Sequence, residues 1–397
     1  MSPRPPAGER EARMAWARIT EPVDKGAHEL IRDRGPIAAL EVVRDGSVAA
    51  AERLRPRLEL VDPDREHHIL EVLDARVVVP GDEEWPAGLD DLSHPPHCLW
   101  VRGPVDLADA CRRSAAIVGA RAATNYGEGV AADLAAGLAE RGFAVVSGAA
   151  YGVDAAAHRG ALAVDGTTVA VLAGGVDRPY PAAHARLLRT IAETGLVVSE
   201  VPPGSAPTRY RFLKRNRLIA ALTRGTVVVE AGLRSGSRST ATAATEIGRV
   251  VAAVPGPVTS MVSAGCHELI RSGEAVLVTD AAEAAEAVGD LGADLAPAKS
   301  GPVRPEDGLT GDELKVWSAL PVRSPVSAER LAVRAALTAR TTAAVLGRLA
   351  LEGLAVQDRD GWRKSPPEPE KKGSAAPDAT GGEGSAEPNG REVGAGA

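Results

Sequence analysis

The chain has 397 residues, with 46 Lys and Arg against 53 Asp and Glu, and its formal net charge of −7 argues at first sight against a nucleic-acid binder. Hydrophobic residues make up 44% but aromatic ones only 3%, so the core has to be built from Ala, Val and Leu. No apolar run approaches the roughly 18 residues of a membrane span and the first residues lack the apolar segment of a signal peptide, which predicts a cytoplasmic protein of two or three domains without membrane contact.

Residues 1–21 are polar and read as a loose N-terminus. From 22 to 75 apolar residues recur at three to four, as in Ala27, Leu30 and Ile31 and then Ala38, Leu40 and Val43, with Gly35-Pro36 as a turn; this predicts a small helical domain. Short strands follow at Val77–Val79 and Cys98–Val101. Cys98, Cys111 and Cys266 lack metal or redox spacing and are expected to be buried thiols, and His94, His97 and Cys98 read as a surface loop.

Between 76 and 290 near-continuous apolar runs at Ala115–Gly119, Phe143–Ser147, Thr168–Leu172, Leu196–Ser199, Thr226–Glu230 and Val250–Val254 alternate with helix-length segments. Strands buried on both faces and joined by crossover helices make an α/β, doubly wound Rossmann-type sheet. Residues 291–308 are a Pro- and Ala-rich linker. From 309 to 364 a capping box at Thr310 and Glu313, a cap at Ser327, a helix from Thr338 to Leu351 and a hairpin around Asp360-Gly361 form a winged helix-turn-helix pattern. The tail, 365–397, holds Val393 as its one large aliphatic and is predicted to be disordered.

In such a sheet ligands sit beyond the carboxyl ends of the strands, so the loops there carry the functional reading. After the first run of the module come Gly119, Arg121, Thr124 and Tyr126: a glycine turn, a guanidinium and a hydroxyl at a helix N-cap, suited to a phosphate, without the three-glycine dinucleotide fingerprint. Ser147 and Gly148 open the second loop, where Asp154 and His158 share a helical face; an N-cap and a packed histidine are the expected roles, with an acid/base pair as the alternative. From Val201 to Val229 there is no acidic residue but six basic ones, Arg209, Arg211, Lys214, Arg215, Arg217 and Arg224, interleaved with Tyr210 and Phe212. Bases and rings in one window are expected where phosphates are neutralised and nucleobases stack. Ser235, Gly236 and Ser237 ring another helix N-terminus, reinforced by Arg234 and Arg238. All four Tyr and both Phe lie between Tyr126 and Phe212.

The ordered motifs resemble the DNA-processing protein A family, DprA or Smf. They are Gly119-x-Arg121-x-x-Thr124-x-Tyr126-Gly127, Ser147-Gly148-x-Ala150-x-Gly152-x-Asp154, Tyr180-Pro181, Ser199-Glu200, Phe212-x-x-Arg215-Asn216-Arg217, Glu230-Ala231, Ser235-Gly236-Ser237-x-x-Thr240-Ala241 and Val254-Pro255-Gly256. Departures are Ala120 for the common Ser, Leu213 for Pro, and His267 and Glu274 for Asn and Ala. The resemblance implies an extended Rossmann-type domain that binds single-stranded DNA, dimerises, helps load a RecA-type recombinase in recombination or natural transformation, and performs no catalysis. It also implies a SAM-like character for the N-terminal helices.

Phosphates are then expected on Gly119, Arg121, Thr124, Ser147, Gly148, Lys214, Arg215, Asn216, Arg217, Ser235, Gly236 and Ser237, and bases on Phe212, Tyr210 or Tyr126, with no cofactor and no metal. Rival readings are a Rossmann-like nucleotide phosphoribohydrolase, whose Pro-Gly-Gly-x-Gly-Thr run this sequence lacks, and a winged-helix regulator of duplex DNA acting through Arg334, Arg340 and Arg348. The net charge divides unevenly: residues 1–110 sum to −8, 111–290 to +2 and 291–397 to −1.

Overall fold

The computed structural model describes residues 6–299, 301, 304 and 306–366. The disordered tail expected from 365 falls, from 367 onward, outside the described residues. The described residues form two compact units that part after Pro297, a position inside the expected linker.

The first unit opens with five helices, α1 (Glu9–Ile19), α2 (Lys25–Arg34), α3 (Pro36–Asp45), α4 (Ala51–Leu58) and α5 (Pro63–Leu73). The loose segment expected at 1–21 is corrected over Glu9–Ile19. Ala12, Ala15, Trp16 and Ile19 stand at helical spacing and are wholly buried, and Trp16 Nε1 donates to the Pro36 carbonyl at 2.9 Å. They close a core with Leu40, Val43 and Leu54 of α3 and α4.

The sheet follows: β1 (Ala75–Val78), β2 (Leu99–Arg102), α6 (Leu107–Arg112), β3 (Ser114–Gly119), α7 (Asn125–Glu140), β4 (Ala144–Ser147), α8 (Val153–Ala163), β5 (Thr168–Leu172), α9 (Ala185–Thr194), β6 (Leu196–Ser199), α10 (Arg209–Ala221), β7 (Gly225–Val229), α11 (Ser237–Glu246), β8 (Val250–Ala253), α12 (Ala264–Arg271), β9 (Val276–Leu277) and α13 (Ala281–Val288). Spatial order is β1-β2-β6-β5-β4-β3-β7-β8-β9. The pairs from β6 to β9 are parallel, whereas β1–β2 and β2–β6 are antiparallel.

Strand alternation splits each apolar run between the two faces of the sheet. Ala116 and Val118 pack toward Leu218, Ile219 and Ala241 of α10 and α11. Ala115 and Ile117 pack toward Leu134, Leu138 and Ala157 of α7 and α8. The chain runs β3, β4, β5, β6 to one side and returns to β7 on the other side of β3, so the loops after β3 and β7 part at the topological switch point, where doubly wound sheets open a ligand crevice.

The loop of His94, His97 and Cys98, expected at the surface, is half-buried at His94 and turns inward after it. His97 and Cys98 are buried, with the His97 ring stacked on His28 at 4.5 Å between ring centroids, and burial pushes the His97 imidazole down to about 3. The three cysteines are free thiols.

The second unit holds α14 (Gly311–Ala319), α15 (Ala328–Ala335), α16 (Ala339–Leu351) and the hairpin β10 (Ala355–Asp358) and β11 (Gly361–Lys364). The Thr310–Glu313 capping box opens α14, and Ser327 and Thr338 cap α15 and α16. Val316, Trp317, Leu331, Leu346 and Leu349 form its core.

Candidate nucleic-acid interface

The crevice at the switch point is a cavity of about 770 Å³. Its floor is the turn after β3 (Gly119, Ala120, Arg121), one wall is α10 with the segment before it, and the other is the turn from β7 into α11 (Gly232 to Ser237). Gly119 is required where it stands, because a Cβ there would lie 1.8 Å from the Val229 carbonyl of the neighbouring strand. Thr208 caps α10 by accepting from the Arg211 amide at 3.2 Å, and so fixes which residues of the basic run face the cavity.

Phe212 occupies the middle of that wall. The Arg121 guanidinium lies 4.8 Å from its ring centroid, Arg215 lies 5.8 Å away, and the Tyr180 ring tilts against it at 5.5 Å. Arg121, Arg209 and Arg234 all line the cavity and have no carboxylate partner among the described residues. On the opposite wall the Ser235 and Ser237 hydroxyls meet at 2.7 Å, and Asn216 Nδ2 reaches across to Ser239 Oγ at 2.7 Å and the Gly236 carbonyl at 3.3 Å. Asn216 therefore braces α10 against the start of α11 while its side chain lines the cavity.

Arg215 is almost wholly buried beneath Phe212, and its Nη1 donates to the carbonyls of Gly148, at 2.9 Å, and Val171. Burial lowers this guanidinium to about 10, against the opposing pull of the Asp154 carboxylate. A Cβ on Gly148 would come within 2.4 Å of Arg215 Nη1, so this glycine makes room for the guanidinium. Asp154 is raised by burial and lowered by Arg215, and its Oδ2 accepts from the Ala150 amide at 3.3 Å. The expected N-cap role is not taken, because Gly152 occupies the N-cap of α8.

Several expected donors are engaged elsewhere. The Ser147 hydroxyl is buried and donates to the Ile117 carbonyl at 2.6 Å. The Thr124 amide and hydroxyl both donate to the Glu230 carboxylate, at 2.8 and 2.6 Å. Arg217 is turned away from the cavity and pairs with Glu200, whose carboxyl is raised by burial and lowered by that pairing. The Lys214 ammonium lies 5.4 Å from the Tyr210 ring, and the Tyr210 hydroxyl donates to the Pro22 carbonyl at 2.8 Å. The Tyr126 hydroxyl donates to the Pro255 carbonyl at 2.6 Å. Of the three expected stacking rings only Phe212 lines the cavity; Tyr180, set by the turn after β5, is the second ring there, and its place beside Phe212 had no signal beyond the Tyr180-Pro181 motif.

The acid/base alternative gains no support. His158 is fully buried behind β4 and β5, where Thr168 Oγ1 donates to the Val145 carbonyl and accepts from His158 Nδ1 at 2.7 Å. Burial pushes this imidazole down to about 3, so it stays neutral and remote from the cavity. In the second unit Arg348, one of three arginines read as a recognition element, pairs with Glu313 at 2.6 Å and Glu352 at 3.0 Å.

Residues 76–289 match the family model described as DNA recombination-mediator protein A. A DprA protein of Mycobacterium tuberculosis strain H37Rv is 48% identical over 369 residues, 88% of this chain and 93% of that protein. The Smf protein of Escherichia coli K12 is 42% identical over 211 residues, 53% of this chain and 56% of that protein. The X-ray structure of DNA processing protein A from Streptococcus pneumoniae aligns with a TM-score of 0.60 at 32% identity, covering 70% of this chain and 96% of that one.

Proposed function

The chain belongs to the DNA recombination-mediator protein A family, and on that premise we propose that it binds single-stranded DNA at the switch-point cavity, acts as a homodimer in the cytoplasm, and helps load a RecA-type recombinase without catalysing a reaction. The observation that carries the binding step is Arg121 over Phe212 at 4.8 Å: a guanidinium with no ion pair among the described residues, beside a half-buried ring that lines the cavity. Arg209 and Arg234 extend the charge along both walls, and Ser235 and Ser237 offer hydroxyls at the start of α11. Phosphates would pass along the arginines while one base stacks on Phe212 or Tyr180, an arrangement indifferent to base identity. A duplex cannot offer an unstacked base to that ring, so the reading favours single strands.

Within it, residues 22–75 together with α1 are a SAM-like domain and 309–364 a winged helix. In the duplex-regulator alternative, Arg348 would have to leave Glu313 and Glu352 to meet a phosphate.

The test is a fluorescence-anisotropy titration of the full chain with a single strand and its duplex at two salt concentrations, repeated with Arg121→Ala. The single strand should bind more tightly, and Arg121→Ala should weaken it and flatten the log–log salt slope by about 0.7. Preference for duplex, or an unchanged slope, would remove the cavity assignment. Release of free base from nucleoside monophosphates would establish the phosphoribohydrolase instead.

A further inference from the structure

Three pieces of chain meet beside the cavity: the turn after β3, the first turn of α7 and the end of β7. Glu230, the residue after β7, is 3% exposed and has φ +49, a left-handed conformation that is unfavourable for a residue with a Cβ. That conformation turns its side chain under α7. One carboxylate oxygen accepts from the Thr124 amide at 2.8 Å and the other from Thr124 Oγ1 at 2.6 Å, while the Glu230 carbonyl accepts from the Ala120 amide at 2.7 Å. The chain makes space for this carboxylate: a Cβ on Gly127 would stand 2.1 Å from Glu230 Oε2. No lysine or arginine pairs with Glu230 among the described residues. Its charge rests on the positive end of the 16-residue helix α7.

In the strand order, β3 is the strand from which the sheet runs both ways, and the helix after it is the one whose N-terminus holds the pyrophosphate of a dinucleotide in doubly wound folds. Here an internal carboxylate has that position. We propose that Glu230 is a resident stand-in for phosphate that closes the α7 N-terminus to free nucleotides and dinucleotide cofactors. The anions of a ligand are thereby left to Arg121 and the turn of Ser235 to Ser237. A nucleotide that relies on one phosphate cradle loses its anchor, whereas a strand that spreads its phosphates along a groove does not. The inference rests on the geometry of this turn and is independent of single-strand binding, which is measured separately.

The experiment compares the unaltered chain with Glu230→Ala and Glu230→Gln, following thermal unfolding in chloride, phosphate and pyrophosphate at matched ionic strength. Glu230→Ala should unfold at lower temperature in chloride and regain part of the loss in phosphate or pyrophosphate, by a shift larger than the unaltered chain shows. Glu230→Gln, whose amide still fills the space, should be destabilised without that recovery. Pyrophosphate should bind Glu230→Ala at least about tenfold more tightly than the unaltered chain. Equal anion responses in all three proteins would overturn the proposal, as would tight pyrophosphate binding by the unaltered chain. Should Glu230→Ala be unfolded in chloride, the same anions must restore its folded fraction, and failure to do so counts equally against it.

Discussion

The two faces of α10 carry the same kind of residue and do opposite things. Toward the cavity stand Arg209, Phe212, Arg215 and Asn216; away from it stand Tyr210 and Arg211, which meet Pro22 and Glu21, and Arg217, which meets Glu200. On the second face Arg211 pairs with Glu21 at 2.8 Å and Arg217 with Glu200, the Lys214 ammonium lies over the Tyr210 ring, and beyond the helix Arg224 pairs with Asp290 at 2.7 Å. On the first face Arg209 has no carboxylate partner among the described residues, and Arg121 and Arg234 join it from other loops. A run of basic residues is thus divided by helical periodicity into structural ion pairs and a field left over for a ligand.

The comparison breaks most readily at Arg217. Its side chain is 13% exposed and that of Glu200 is 9% exposed, and removing one member of a buried pair leaves an uncompensated charge costing about 3–5 kcal/mol. Arg217→Ala should therefore show its loss in denaturant unfolding, while the protein that remains folded binds single-stranded DNA with an unchanged salt slope. A flattened slope with normal stability would move Arg217 to the cavity face.

Next in size is Phe212. Stacking on an aromatic ring is worth about 1–3 kcal/mol per base, so Phe212→Ala should weaken single-strand binding by that amount and leave the salt slope intact, since no charge is lost. Tyr210→Phe, which removes only the hydroxyl bonded to Pro22, should leave affinity unchanged. If Tyr210→Phe weakens binding as much as Phe212→Ala does, the division between the faces is wrong.

How much of this could be read in the sequence depends on the range of the signal. Strands and caps are local, and Thr168–Leu172, Leu196–Ser199, the Thr310 box and the Ser327 cap lie where periodicity and capping chemistry put them. The acid-free window was visible too, but its partners were not, because Glu21 meets Arg211 across 190 positions. Thr124 reads as a phosphate donor until Glu230, 106 positions away, is seen beneath it. The helix Glu9–Ile19 did have a signal, the spacing of Ala12, Ala15, Trp16 and Ile19, hidden by the charged residues between them. The cavity residues Arg121, Phe212, Ser235 and Ser237 were legible because they lie just past strand ends or in the window of rings and bases.

The smallest expected effect tests the docked face at its outer edge. Arg211 Nε and Nη2 each donate to one oxygen of Glu21 at 2.8 Å, and Nη1 donates to the Ala206 carbonyl at 2.9 Å. The Glu21 side chain is 46% exposed, and pairs this open to solvent contribute about 0–1 kcal/mol. Glu21→Gln should therefore lower stability by no more than that. It should also leave the salt slope for single-stranded DNA unchanged, because the Ala206 carbonyl, in the segment before α10, still holds the guanidinium when the carboxylate charge is gone. A slope steeper by about 0.7 would mean that the freed guanidinium reaches a phosphate. Arg211 would then belong to the path of the strand, and the N-terminal helices would be restraining a residue of the binding face.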